Sequence, residues 1–142
     1  MFAGTAFFEK TYREAVSLLR EARDYLAFCQ ERDACDLSPL ERLCFSHESS
    51  RLTARLMDIM AWLIVQKALE AGELTALEAM REGHRVLRRE AWLGAEVAGD
   101  LEGDAAPSAG KMPDGLISLL ERSRRLYLRI VRLDDLTARE PA

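Results

Sequence analysis

Histidine and the motifs of catalysis are scarce in this sequence. The chain holds two histidines, His47 and His84, whereas nucleophilic catalysis needs a serine, threonine or cysteine beside a base. Its glycines are dispersed and form neither G-x-G-x-x-G nor a G-K-[ST] ending, so no phosphate-binding loop is indicated. Glu-x-x-His pairs, which bind metal in helical bundles, do not occur. The sequence therefore predicts a protein that is not an enzyme and binds no cofactor or metal.

Long apolar runs are also missing. The longest uncharged stretch in the most apolar region covers residues 59–66, whereas a membrane-spanning helix needs about 20 apolar residues. Residues 1–10 lack the basic start and apolar middle of a secretory signal. The three cysteines, Cys29, Cys35 and Cys44, form an odd set with irregular spacing. We therefore expect a cytoplasmic protein with reduced thiols and no membrane partner.

The sequence also has no excess of positively charged residues. Lys and Arg number 20, Asp and Glu number 24, and the formal net charge is −4, which repels a polyanion. Hydrophobic residues make up 49% and charged residues 31% of the 142 residues, so the chain has material for both a core and a solvated exterior. A single domain over residues 1–142 is predicted.

Two long helices are predicted in the first half of the chain. From Thr5 to about Arg32, apolar residues recur in an unbroken heptad pattern. Its positions are Phe8, Tyr12, Ala15, Leu19, Ala22, Leu26 and Cys29. Ser38-Pro39-Leu40-Glu41 is a capping box with proline at the first helical position. The second helix is predicted to end at Ala71, because Gly72 suits a C-terminal cap.

The second half of the chain predicts one shorter and one longer helix. Thr75-Ala76-Leu77-Glu78 is another capping box, and apolar residues continue at helical spacing through Leu77, Met80, His84, Leu87 and Ala91. Residues 99–113 are rich in glycine and proline and predict a flexible loop. Leu116, Leu119, Ser123, Leu126, Ile130 and Leu133 predict a helix over residues 114–136, followed by a polar tail over 137–142. The predicted fold class is all-α, an antiparallel bundle of three long helices and one shorter helix without a β-sheet.

The second helix is apolar around most of its circumference. Leu52, Leu56, Ile59 and Leu63 form one stripe, and Met57, Met60, Ile64 and Ala68 form a neighbouring one. Trp62 widens the apolar arc. A single neighbouring helix does not cover such a surface. The face that includes Met57, Met60, Trp62 and Ile64 is therefore either bundle core or a dimer interface, and the pattern does not separate the two.

Arginines cluster on the last two predicted helices and form a candidate partner-binding surface. They are Arg81, Arg85, Arg88 and Arg89 on the shorter helix, and a second set that includes Arg125 and Arg129. Acidic residues lie between them, which is also typical of a solvated helix face. An alternative function as a nucleic-acid-associated regulator would use the first set. The negative net charge and the few aromatics among the arginines argue against it.

Cys44 and His47 share a C-x-x-H spacing, with Cys29 and Cys35 just upstream. A metal or redox sensor is therefore a third hypothesis. Paired C-x-x-C motifs, which structural zinc sites favour, do not occur. Cys29 in the heptad pattern is better explained as a small core residue.

Three blocks of the chain resemble one known family. The most specific is Glu48-Ser49-x-Arg51-Leu52-Thr53-x-Arg55-Leu56-Met57, because helix periodicity does not dictate its polar positions. The others are Phe7-Phe8-x3-Tyr12-x-Glu14-Ala15 and Leu126-Tyr127-x-Arg129-Ile130-x-Arg132-Leu133-Asp134. The chain resembles the alphaproteobacterial regulator of CtrA degradation (RcdA) family. This resemblance implies a homodimeric helical bundle with protein partners and, as for the name-giving member of the family, an adaptor role that delivers cell-cycle proteins to the ClpXP protease. The alternative is a structural bundle protein with no delivery role.

Overall fold

Helices make up most of residues 5–87 and 112–139, the two segments that the computed structural model describes. Helix α1 spans Thr5–Phe28, α2 spans Gln30–Ala34, α3 spans Pro39–Glu70 and α5 spans Asp114–Arg139. Between α3 and α5, residues 76–87 are helical and are called α4. Within these two segments there is no strand, which confirms the predicted all-α class.

Contacts between side chains fix the directions of the helices. Glu14 and Glu21 of α1 pair with Arg129 and Arg122 of α5, respectively, so α1 and α5 run antiparallel. Arg55 contacts Ser123 and Trp62 contacts Asp134, so α3 and α5 run in the same direction. Helix α4 runs antiparallel to α5, because His84 contacts Asp134 and the Tyr127 hydroxyl donates to the Leu87 carbonyl.

The first predicted helix is interrupted at Cys29, where the sequence pattern predicted no break. Cys29 has φ −111° and separates α1 from α2. The Tyr25 hydroxyl donates a hydrogen bond of 2.7 Å to Asp33, and residues eight apart in a straight helix are about 12 Å apart along its axis. The break at Cys29 brings the Asp33 carboxylate within hydrogen-bond distance of the Tyr25 hydroxyl. Burial and the Asp33 carboxylate raise the pKa of Tyr25, which keeps its hydroxyl a donor.

The predicted capping box of α3 is confirmed. The Ser38 backbone N–H donates to Glu41 Oε1 at 2.9 Å, and the Glu41 N–H donates to Ser38 Oγ at 3.2 Å. At the other end the chain leaves the helix through Gly72, whose φ of +78° suits glycine. The cap before α4 also forms, since the Glu78 N–H donates to Thr75 Oγ1 at 3.2 Å.

The core lies between α1, α3 and α5. Helix α3 contributes the predicted stripe Leu52, Leu56, Ile59 and Leu63, and α5 contributes Leu116, Leu119, Leu126 and Ile130, all of them buried. In α1, Phe8, Ala15 and Ala22 are buried as the heptad pattern predicts, but so are Thr11 and Leu18. The buried stripe of α1 is therefore wider than predicted, because α1 packs against two helices.

The end of α5 differs from the prediction. The helix continues to Arg139, whereas residues 137–142 were predicted to be a tail. Thr137 Oγ1 donates to the Asp134 carbonyl at 2.8 Å, which supports the additional turn. Met112, at the end of the predicted loop, is buried. Residues 99–111 of that loop lie outside the described residues.

Gly115 in the first turn of α5 leads to a stability prediction. A Cβ atom there would lie 2.7 Å from Tyr25 Cε2. Alanine usually stabilises a helix by up to about 1 kcal/mol relative to glycine, but overpacking costs about 1–3 kcal/mol. We expect Gly115→Ala to lower the free energy of unfolding by about 1 kcal/mol in urea titrations monitored by circular dichroism. Ser118→Ala, on the exposed side of α5, is the control, and a more stable G115A variant would contradict this packing.

Candidate docking face

The four residues of the predicted core or dimer face on α3 separate into two environments. Trp62 is fully buried. Met57 and Ile64 are each 57% exposed, and Met60 is half-buried against the core. The face predicted from sequence is therefore divided within one chain, with Trp62 inside the bundle and Met57 and Ile64 on its surface.

The exposed side of α3 carries a regular pattern of its own. Uncharged residues recur at alternating steps of three and four along almost the whole helix. We call this set of residues the outer seam. Its members are the exposed Leu40, Leu43, His47, Ser50, Met57 and Ile64 and the partly buried Ala54, Ala61 and Ala68. It contains no Asp, Glu, Lys or Arg, which is unusual for an exposed helix face. Sequence analysis detected only its second half, although the lack of charge at Leu40, Leu43 and Ser50 was a usable signal.

A buried polar cluster joins the other side of α3 to α4 and α5. Asp134 is 4% exposed. Its Oδ1 accepts a hydrogen bond of 3.0 Å from Trp62 Nε1, and its Oδ2 lies 3.2 Å from His84 Nδ1. Gly83 packs against the Trp62 ring, where a Cβ atom would come within 3.1 Å. One carboxylate thus connects three helices, and helix periodicity does not predict this role for an acidic residue.

Arg55 forms a second buried polar contact between α3 and α5. Its Nη1 donates to the Leu120 carbonyl at 3.1 Å and to Ser123 Oγ at 3.0 Å. Arg55 is 7% exposed, and Ser123 occupies the apolar stripe predicted for the last helix. A buried guanidinium needs such acceptors, because a buried charge without partners is strongly destabilising. Both polar contacts hold the bundle together behind the outer seam.

Most of the described arginines that were predicted to bind partners pair with acidic side chains of the same chain. On α5, Arg129 pairs with Glu14 of α1 at 2.6 Å, and Arg125 lies 4.0 Å from Glu121. On α4, Arg85 pairs with Glu82 at 2.7 Å and Arg81 is exposed. Arg88 and Arg89 lie outside the described residues. The α5 set therefore contributes to contacts between helices as well as to the surface.

Arg122 pairs with Glu21 through two hydrogen bonds of 2.7 Å each. The guanidinium lowers the pKa of the Glu21 carboxyl. A lowered carboxyl pKa stabilises the folded chain at every pH above the ordinary pKa of the group. This stabilisation is lost as the pH falls through the lowered pKa. Because both side chains are more than 40% exposed, solvent screening keeps it small.

Among residues 5–87 and 112–139, no group of three or more His, Cys, Asp or Glu side chains is placed to bind a metal ion. Cys29, Cys35 and Cys44 are free thiols. In the same two segments, none of the helices has both the length and the apolar character needed to cross a membrane.

These observations define an all-α bundle whose longest helix presents an uncharged, largely apolar face. The chain belongs to the family described as protein of unknown function DUF1465, whose model matches residues 1–142. It is similar to RcdA from Caulobacter crescentus CB15, whose crystal structure it matches with 32% sequence identity and a TM-score of 0.74. The match covers 96% of this chain and 94% of that one. The predicted resemblance to RcdA is thereby confirmed, while no curated protein sequence matches the chain.

Proposed function

We propose that this protein is a dimeric, non-enzymatic adaptor of regulated proteolysis that brings cell-cycle regulators to the ClpXP protease. The similarity to RcdA over 96% of the chain supports the proposal, because the resemblance of this chain to the RcdA family implies an adaptor role. An adaptor acts by raising the effective concentration of a substrate at its enzyme. Such a role requires docking surfaces rather than catalytic groups, and it places the protein in the cytoplasm.

Two surfaces are available for this role. The outer seam exposes large apolar side chains at Met57 and Ile64, and we propose that it forms the homodimer interface. The exposed side chains of Arg81, Arg85 and Arg125 on α4 and α5 are proposed to contact acidic segments of the protease or its substrates. Dimerisation presents these surfaces twice, which increases avidity.

A reconstituted degradation assay tests the adaptor role. Purified ClpXP degrades a cell-cycle substrate with and without the protein, and we expect the chain to increase the initial rate about tenfold at limiting substrate. Arg81→Glu together with Arg85→Glu is expected to remove most of this increase. Arg13→Glu together with Arg20→Glu, at two exposed positions of α1, is the control, because it changes the net charge by the same amount. An unchanged rate with all known substrates and priming factors present would contradict the adaptor role.

A further inference from the structure

Helices α1 and α5 meet along a groove, and two ion pairs across it fix the register of the two helices. Glu14 and Glu21 of α1 pair with Arg129 and Arg122 of α5, respectively. The two carboxylates are seven residues apart along α1, and the two guanidinium groups are seven residues apart along α5. Seven residues extend about 10.5 Å along a helix. The ion pairs therefore determine which residues of α1 and α5 face each other along the groove.

Two further facing pairs of this groove contain positive charge but no carboxylate. Between the two ion pairs, one turn from each, Arg125 faces Ser17, and one turn beyond the second ion pair Arg132 faces Lys10. All four of these residues are exposed. Among the described residues no ion pair includes Lys10 or Arg132, and Arg125 lies 4.0 Å from Glu121, with both side chains mostly exposed. Neutral and positive pairs therefore alternate along the groove.

One end of the groove combines positive charge with apolar surface. Lys10 and Arg132 are like charges at facing positions, and an anion between them would relieve their repulsion. One turn further along both helices, Leu136 faces Phe7, and these side chains are 57% and 42% exposed. The groove thus presents two positive sites about 10.5 Å apart, and an apolar site one turn beyond the second.

This spacing fits an acidic amphipathic helix. Two carboxylates seven residues apart lie on one face of a helix at the same distance of about 10.5 Å, and an apolar residue one turn further on reaches Phe7 and Leu136. Uncharged residues of such a helix can face Glu14 and Glu21. A DNA duplex carries one negative charge per about 1.7 Å of its axis, so its phosphates would also face these two carboxylates. The groove therefore fits an acidic helix better than a nucleic acid.

We infer that the groove between α1 and α5 docks an acidic amphipathic helix of a partner protein. One carboxylate of this helix contacts Arg125, and the other lies between Lys10 and Arg132. The inference rests on the part of the proposed function that assigns Arg125 to acidic partner segments, and it specifies the form of the segment and where it binds. The outer seam is on α3, so this docking site does not depend on the proposed homodimer.

Fluorescence anisotropy with a labelled peptide tests the docking site. The probe is a helical peptide of alanine and glutamine, about 20 residues long, with two glutamates seven residues apart and a leucine four residues beyond each. The two leucines allow it to bind in either direction along the groove. In the control peptide one glutamate is shifted by two residues, to the opposite face of the helix. At about 0.15 M salt we expect the probe to bind at least about tenfold more tightly than the control peptide.

Charge reversal in the groove tests the same contacts from the other side. Arg125→Glu together with Arg132→Glu should weaken probe binding at least about tenfold. This variant should instead bind a peptide with lysine in place of both glutamates at least about tenfold more tightly than the wild type does. Arg13→Glu together with Arg20→Glu, at exposed positions of α1 outside the groove, changes the net charge equally and should bind the probe within about threefold of the wild type. Circular dichroism checks the fold, and Lys10→Glu replaces R125E/R132E if that variant loses helicity.

The outcomes separate this docking site from the adaptor role. Equal affinity for the probe and the control peptide, or equal probe affinity of R125E/R132E and the wild type, would overturn the inference. A DNA duplex of about 20 base pairs bound as tightly as the probe would also overturn it, because the groove would then recognise charge alone. Probe binding as expected with an unchanged degradation rate would support the docking site and contradict the adaptor role. An increased degradation rate without discrimination between the peptides would overturn the docking site and leave the adaptor role intact.

Discussion

Replacing Asp134 with alanine is expected to lower the free energy of unfolding by about 3 kcal/mol. The Asp134 carboxylate is 4% exposed and accepts a hydrogen bond from the fully buried Trp62. Its other oxygen lies 3.2 Å from His84 Nδ1. Truncation leaves the Trp62 indole N–H without this acceptor and opens a cavity where α3, α4 and α5 meet. For a domain of this size the change corresponds to a decrease in Tm of about 10 °C.

Thermal and urea denaturation monitored by circular dichroism measure this effect. Asp135→Ala is the matched control, because the neighbouring carboxyl is exposed and its loss should change stability by less than about 0.5 kcal/mol. Asp134→Asn keeps an acceptor oxygen and should be less destabilising than D134A. In a double-mutant cycle, Trp62→Phe and D134A should couple by about 1–3 kcal/mol. Equal Tm values for D134A and D135A would show that the cluster does not join the helices.

Changing Met57 and Ile64 together to glutamate is expected to convert the proposed dimer to a monomer without unfolding the chain. Both side chains are 57% exposed, so the carboxylates stay solvated in the single chain and its Tm should change little. In the dimer, four carboxylates would lie in an apolar interface, where unpaired buried charges cost several kcal/mol. The dissociation constant should therefore rise by at least about 1,000-fold.

Size-exclusion chromatography with light scattering measures the mass of this variant, which should be the 16.0 kDa of one chain. Leu128→Glu with Leu136→Glu is the control, because these α5 residues are also exposed apolar side chains, at 44% and 57%, but lie outside the outer seam. The control should stay dimeric. If M57E/I64E retained the wild-type mass, the interface would lie elsewhere on the molecule.

The helices were predictable because their signals are local. Ser38 and Glu41 cap α3 within one turn, and Gly72 ends the helix through its own backbone conformation. The inner stripe of α3 followed from periodicity, since residues three and four apart share a helix face. The break at Cys29 was missed because the Tyr25–Asp33 hydrogen bond leaves no periodic trace in the sequence.

The buried polar contacts depend on which helices become neighbours, and periodicity carries no such information. Asp134 lies at a core position between Trp62 and His84, although an acidic residue near the end of an amphipathic helix is typical of a solvated face. The division of the α3 face could not be predicted from the sequence either. Met57 and Trp62 are both apolar, and the contacts of Trp62 with Gly83 of α4 and Asp134 of α5 depend on the tertiary fold. The resemblance to RcdA, in contrast, was detectable because Glu48, Arg51 and Arg55 are polar positions that periodicity does not require.

Sedimentation equilibrium of the unmodified chain is the most direct test of whether a second copy of the chain packs on the outer seam of α3. Between about 1 and 100 µM, the range in which a standard-sized interface forms, we expect a mass of twice the 16.0 kDa of one chain. A mass of 16.0 kDa at every concentration in this range would contradict the account.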